Sequence, residues 1–355
     1  MVQNDMSAEI IDSTGDSKPA GASLRRRAYR YLAWAPLALL LLIGTLWAAA
    51  ALYFDVRVVW LRVPLAAAYV AAALAVWIRV EGKWRKAGLT LVGFVLVLGW
   101  WFTVQPSNDR DWEPDLAVLP YADIDGNKIT IHNIRNCDYR TETNFAVQHY
   151  DRAFELDTLR TLDLYMVYWG SPLIAHTMLS FGFADGKQIC FSIETRKQKG
   201  QVYSAVKGLF RQFELMCVVA DERDVVRLRT NYRQGEEVYL YRLRSSPASM
   251  RQMFLEYLQR TNRLRHHPEW YNAVTDNCTT GIRAQRSASE RAPWDWRMLV
   301  NGHGDELLHE RGMFATNVPL AELKERGHIN IRARAADKAA DFSKQIRQGV
   351  PQVDL

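Results

Sequence analysis

The sequence predicts an α+β protein in which three membrane-spanning helices precede an exported domain built on an antiparallel sheet. Three observations carry that expectation. Long apolar runs are confined to the part of the chain before Gln105, two strand-like segments flank Asp185-Gly186, and apolar residues recur at helical spacing after Pro247. The mean hydropathy of −0.21 averages two unlike halves, so each half is read by itself.

Residues 1–30 begin with a stretch rich in Ser, Gly and Asp and read as a disordered cytoplasmic tail. Residues 31–104 hold the three spans. The first, residues 32–53, is long enough to cross a hydrocarbon core at about 1.5 Å rise per residue. The second, residues 59–78, carries Arg62 and Pro64 near its start. The third, residues 88–104, closes on Trp100, Trp101 and Phe102, which suit a headgroup boundary. Arg25, Arg26, Arg27 and Arg30 precede the first span, and Arg79, Lys83, Arg85 and Lys86 separate the second from the third, while the intervening loop has only Arg57 and Arg62. This bias predicts a cytoplasmic N-terminus and, after three spans, a C-terminal domain on the far side of the membrane. A cleaved signal peptide, the competing reading of the first run, is disfavoured by its length and by the two spans behind it.

The net charge of +6 belongs partly to these flanks, and the later arginines are interleaved with Asp and Glu, so nucleic acid is not an expected partner. Arginines near a membrane favour anionic headgroups. Cys137, Cys190, Cys217 and Cys278 match no zinc spacing, and a Cys190–Cys217 disulfide and buried free thiols both stay open.

Residues 105–115 are polar and proline-bearing and read as a linker, with the domain proper over residues 116–330. Strands are expected at residues 128–134, behind the Asp125-Gly126 turn, and at 165–169. The clearest hairpin pairs residues 176–183 with 188–195 around Asp185-Gly186. Further strands are expected at 225–230 and 238–243. Met250, Met253, Phe254, Tyr257, Leu258 and Leu264 predict an amphipathic helix over residues 249–264. A helix should start at Thr279, another spans 321–326, and residues 331–355 form a polar helical tail.

Cys278 follows Asp276 and Asn277 and precedes Thr279 and Thr280, where a helix can begin; the free N–H groups there favour thiolate. A thiolate nucleophile needs a base, and His176 opens the first strand of the hairpin. A tight turn sets position 194 or 195 opposite His176, making Glu194 the candidate to orient the imidazole, with Ser192 the lesser one.

The run IHNIRNCDYRTETNF, followed by HTMLSFGFADGKQICFSIETRK, FELMCVVADERDVVRLRTN, VYLYRL and NRLRHHPEWYNAVTDNCTT, resembles the Lnb-type N-terminal periplasmic family over roughly residues 115–283. The order of His, sheet and Asn-Cys at a helix start also resembles a circularly permuted papain-like fold, as in lecithin:retinol acyltransferase and relatives of the NlpC-type peptidases. The resemblance implies Cys278 as nucleophile and His176 as base. It further implies N-acylation of lipoproteins, with an acyl chain moved from phospholipid to a terminal amine through a thioester. The three N-terminal spans depart from that family's pattern. Tyr139, Arg140 and Asn277 are the candidate substrate contacts, Arg140 either meeting a phosphate or pairing with Glu142.

The expected partners are membrane lipids and a lipoprotein or peptidoglycan substrate, with no cofactor and no metal. The competing functions are a cell-wall amidase or peptidase, a phospholipase, and a non-enzymatic envelope binding or assembly module. Asp123, Asp125 and Asn127 read as a turn rather than a calcium loop. His266, His267, His303 and His309 read as solvated, and Arg196 and Lys197 as a charged strand end.

Overall fold

The computed structural model describes residues 20–272, 295–298 and 301–352, with side chains of the first helix from Trp34 onward. It divides into two compact units, residues 1–103 and 104–355.

In the first unit, helices Ala20–Asp55, Val59–Arg79 and Lys83–Thr103 follow one another through short turns. Segments Trp34–Asp55, Val59–Arg79 and Lys83–Thr103 are long and apolar enough to cross a membrane. Their apolar side chains point outward, Leu40, Trp60 and Leu96 being among the most exposed. The few polar groups bond across the unit: Trp101 Nε1 donates to Asp55 Oδ2 at 2.7 Å and Trp77 Nε1 to Thr90 Oγ1 at 3.1 Å. Outward apolar surface with internal polar pairing suits lipid as solvent.

The second unit is a mixed, mostly antiparallel domain. Its strands are β1 (Tyr121–Asp125), β2 (Lys128–Arg135), β3 (Asp138–Tyr139), β4 (Phe145–Ala146), β5 (His149–Glu155), β6 (Leu159–Trp169), β7 (Ser171–Phe183), β8 (Gln188–Arg196), β9 (Glu214–Ala220) and β10 (Glu236–Arg242). The main sheet runs β1-β2-β9-β8-β7-β6-β10, with β5 also on β2, and β3 pairs with β4 apart from it. Among the described pairings, β2 with β9 is the parallel one.

Alternation splits the sheet's side chains between two buried layers. Leu164, Leu179, Phe181, Phe191 and Val219 face the helix Pro247–His266, which contributes Met250, Phe254, Tyr257 and Leu258. Ser246 caps this helix by accepting from Ser249 N–H, and Pro247 sits in its first turn. The other face holds Tyr165, Val167, Met178, Cys190 and Val218 against Val225, Val226, Ile329, Ala333, Phe342 and Ile346.

The expected strand at residues 225–230 is instead a helix, Glu222–Arg227, continued by one π turn, Leu228–Tyr232. Asp221 accepts from Arg223 N–H, and acidic Glu222 and Asp224 occupy the first turn; this cap outweighs the β-branched pair Val225-Val226. Strand β9 was absent from the expectations because ELMCVVA is buried throughout and therefore does not alternate. The polar helical tail expected over residues 331–355 is, as far as residue 352, part of the domain: Phe342 and Ile346 are fully buried. Residues 105–115 pack on the domain too, with Trp112 6% exposed under the Arg196 guanidinium, 4.1 Å from its ring.

Cys137, Cys190 and Cys217 are free and buried. Cys190 pairs in register with Ala220 and Cys217 with Ile193, an odd offset that sends the two thiols to opposite faces of the sheet. No disulfide can join them without inverting a strand. Burial pushes the Cys137 thiol up to about 12 and the Cys217 thiol up to about 11.

Candidate functional site

Hairpin β7–β8 builds the site. Gly186 takes φ +82° in the turn, and pairing continues through Gly182 with Gln188 to Met178 with Ser192. Two residues further along the same face come His176 and Glu194. His176, Ser192 and Glu194 therefore share the sheet face covered by residues 222–232.

The contacts follow from that register. His176 Nε2 is 2.7 Å from Ser192 Oγ and 3.2 Å from Glu194 Oε1. The Ser192 hydroxyl donates to Glu194 Oε1 at 2.6 Å. An ionised carboxylate only accepts, so the single Ser192 proton is committed to it, and Ser192 Oγ must accept from His176 Nε2–H. This assigns the neutral imidazole as the Nε2–H tautomer, with its lone pair on Nδ1.

Glu194 is held from behind. Arg229, in the π turn, donates through Nη2 to Glu194 Oε1 at 2.7 Å and through Nη1 to Glu236 Oε2 at 3.3 Å. Arg233 lies 3.3 Å from Glu236 and 3.4 Å from Glu142. Burial pushes the Glu194 carboxyl up, but His176 and Arg229 outweigh it and hold the group well below the ordinary carboxylate value. Arg229 itself is buried between its two carboxylates, which keep it charged against the cost of burial. A π turn adds one residue to the helical step and here carries the guanidinium to the sheet.

His176 and Glu194 open on a cleft of about 510 Å³, lined also by Trp169, Gln201, Val202, Tyr203 and Tyr271. The wall behind His176 is pinned by Asn301, whose side chain accepts from Ala175 N–H at 2.9 Å and donates to Ala175 O at 2.5 Å.

The structure thus brings His176, Ser192 and Glu194 together. Cys278 and Asn277 lie outside the described residues, as does the helix expected from Thr279. Tyr139 is 1% exposed, with its hydroxyl 3.3 Å from Asp224 Oδ1, so it supports the fold rather than lining the cleft. Arg140 is exposed and also off the cleft lining, and Glu142 pairs with Arg233 instead. Sequence reasoning missed Arg229, because VVRLRT reads as an alternating strand that would have turned its arginines to one face together. His303 pairs with Glu306 and His309 with the Val318 carbonyl. Arg196, far from a charged strand end in water, is 2% exposed and donates to the Leu116 and Ala117 carbonyls.

Residues 146–302 match the family model of the Lnb N-terminal periplasmic domain. The match contains the whole β7–β8 hairpin, Arg229 and Cys278. It begins after the IHNIRNCDYRTETNF run and extends past the NRLRHHPEWYNAVTDNCTT run to residue 302. Neither the curated proteins nor the solved structures gave a match.

Proposed function

From a membrane-anchored protein whose residues 146–302 match the model of the Lnb N-terminal periplasmic domain, we propose a Cys-His acyltransferase of permuted papain-like type. It uses Cys278 as nucleophile and His176 as base, and its reaction moves an acyl chain from phospholipid to a lipoprotein's terminal amine. The orientation puts the N-terminus in the cytoplasm. The observation that carries the reading is the His176 network: an imidazole whose Nε2–H is fixed by Ser192 and by a carboxylate kept ionised.

That tautomer leaves Nδ1 to do proton work. Nδ1 takes the proton of the Cys278 thiol, and the thiolate adds to the ester carbonyl of the lipid. Collapse breaks the ester C–O bond, the Nδ1 proton passes to the departing alkoxide, and a thioester remains on Cys278. The acceptor amine then adds to the thioester carbonyl and gives its proton to Nδ1. The C–S bond breaks, and the thiolate recovers the proton. Between these steps the imidazolium lies beside Glu194, which stabilises its charge, while Arg229 keeps that carboxylate from turning away. Water in place of the amine would give a phospholipase by the same route.

The test is mass spectrometry of the full-length protein after incubation with labelled phospholipid. An acyl adduct on Cys278, absent from Cys278→Ala and discharged on adding an N-terminally free lipoprotein, is expected. Acceptor acylation without any adduct would sink the thioester route. Discharge by water alone would make the protein a hydrolase. An envelope phenotype unaffected by Cys278→Ala would favour a binding or assembly module.

A further inference from the structure

The segment between β8 and β9 turns apolar side chains outward. Val202 is 73% exposed, Val206 54%, Leu209 44% and Tyr203 43%, while Phe210 and Phe213 anchor its end in the core. Exposed apolar residues scattered singly are ordinary, but such a concentration marks a surface that meets something other than water. Lys197 and Lys207 bring long cationic side chains to the same segment.

This segment is fastened to the first residues after the third apolar helix. That helix ends at Thr103. The Arg211 guanidinium donates to the carbonyl of the next residue, Val104, at 2.5 Å. Lys199 N–H donates to the Asp111 carbonyl at 2.8 Å, Glu113 N–H donates to the Lys197 carbonyl at 3.0 Å, and Trp112 bridges to Gln198. The apolar side chains are thus fixed on the part of the domain that the chain reaches first on leaving the lipid.

We infer that residues 202–209 form an interfacial lip that inserts into the boundary between headgroups and acyl chains of the same membrane. Apolar side chains enter the acyl boundary, and lysines remain among anionic headgroups. Gln201, Val202 and Tyr203 also line the cleft of His176 and Glu194. Insertion therefore opens that cleft to lipid without withdrawing the whole substrate into water; this consequence rests on the acyl-transfer reading above.

The experiment uses full-length protein in phospholipid vesicles, carrying Cys278→Ala so that added cysteines take the label while Cys137, Cys190 and Cys217 stay buried. Nitroxides are placed at Val206→Cys, Leu209→Cys and, as a control in the β7–β8 turn, Asp185→Cys. Collision with oxygen should exceed collision with a water-soluble nickel chelate at positions 206 and 209, with the reverse at 185. Nickel-dominated collision at all three positions would overturn the lip. In the Cys278-containing protein, Val206→Asp with Leu209→Asp should slow acyl-adduct formation from vesicle lipid about tenfold, leaving reaction with a short-chain soluble ester unchanged. Equal slowing on both substrates would refute the access role. Labels in lipid with no adduct at Cys278 would leave the lip standing and remove the enzymatic reading; labels in water with an adduct would do the opposite.

Discussion

Glu194 must stay charged while most of its surface is taken from water, with 24% of the side chain still exposed. The Arg229 guanidinium and the His176 ring beside it make that tolerable, and both depend on where their backbones run. Because the folded carboxyl lies below its ordinary value of 4.5, its stabilising contribution is complete above that value and is lost as pH falls through the depressed folded pKa. Glu194→Gln should therefore lower stability by about 1–3 kcal/mol at neutral pH. Its deficit relative to the unmodified protein should be flat from about pH 5 to 8 and narrow in acid. Thermal unfolding of the two proteins across that range checks the sign; a deficit that widened in acid would contradict it. That His176 falls opposite position 194 or 195 was legible from the tight Asp-Gly turn, while the choice between the two needed the register seen from Gly182 with Gln188 to Met178 with Ser192. Arg229 was not, because its contact requires a π turn that no short-range pattern announces.

At the scale of elements, the first half of β7 is supported by residues that sequence reading left unassigned. The turn Asn301–His303 lies against it, and Asn301 bonds both backbone groups of Ala175, next to His176. Gly302 has no room for a side chain there: a Cβ would strike the Pro172 carbonyl and the backbone of Leu173. Gly302→Ala should cost about 3 kcal/mol, at the upper end for overpacking, because backbone rather than a flexible side chain must yield. Gly304→Ala, whose Cβ would meet the Met166 methyl at 3.4 Å, is the matched control and should change stability by less than about 1 kcal/mol. Chemical denaturation of both variants decides this, and similar midpoints would show that β7 gives way more easily than described. The helix Pro247–His266 was readable from its apolar spacing and its Ser-Pro start. The helix Glu222–Arg227 carried an equally explicit signal in Asp221, Glu222 and Asp224, but the alternation of VVRLRT competes with it. Caps are short signals, and a β-branched run can drown them.

Across the whole domain, the sheet face that bears the candidate site is closed by residues 329–350. Arg347 donates to Glu222 at 2.6 and 2.7 Å and to Asp163 at 2.9 Å, while Tyr165 and Ser180 hydroxyls bond the same Glu222 oxygen. Burial pushes the Glu222 carboxyl up, and Arg347 more than offsets this, leaving it below the ordinary value. Arg347→Met would strand buried carboxylates and should cost about 3–5 kcal/mol near neutrality, relieved in acid as Glu222 takes a proton. A variant equally stable at pH 7 would show the cluster to be dispensable. None of this was visible in sequence, because polar spacing over residues 331–355 resembles a solvated helix until Asp163 and Glu222 are known to lie beneath it.

That closure also fixes an order of events in time. A domain whose sheet face is sealed by Phe342, Ile346 and Arg347 cannot finish folding before those residues are available to it. Until then the Glu222 carboxylate and the apolar face around Val225 lack their cover and are open to non-native contacts. The sheet face that carries His176 is thus completed only once residues 342–347 have joined it.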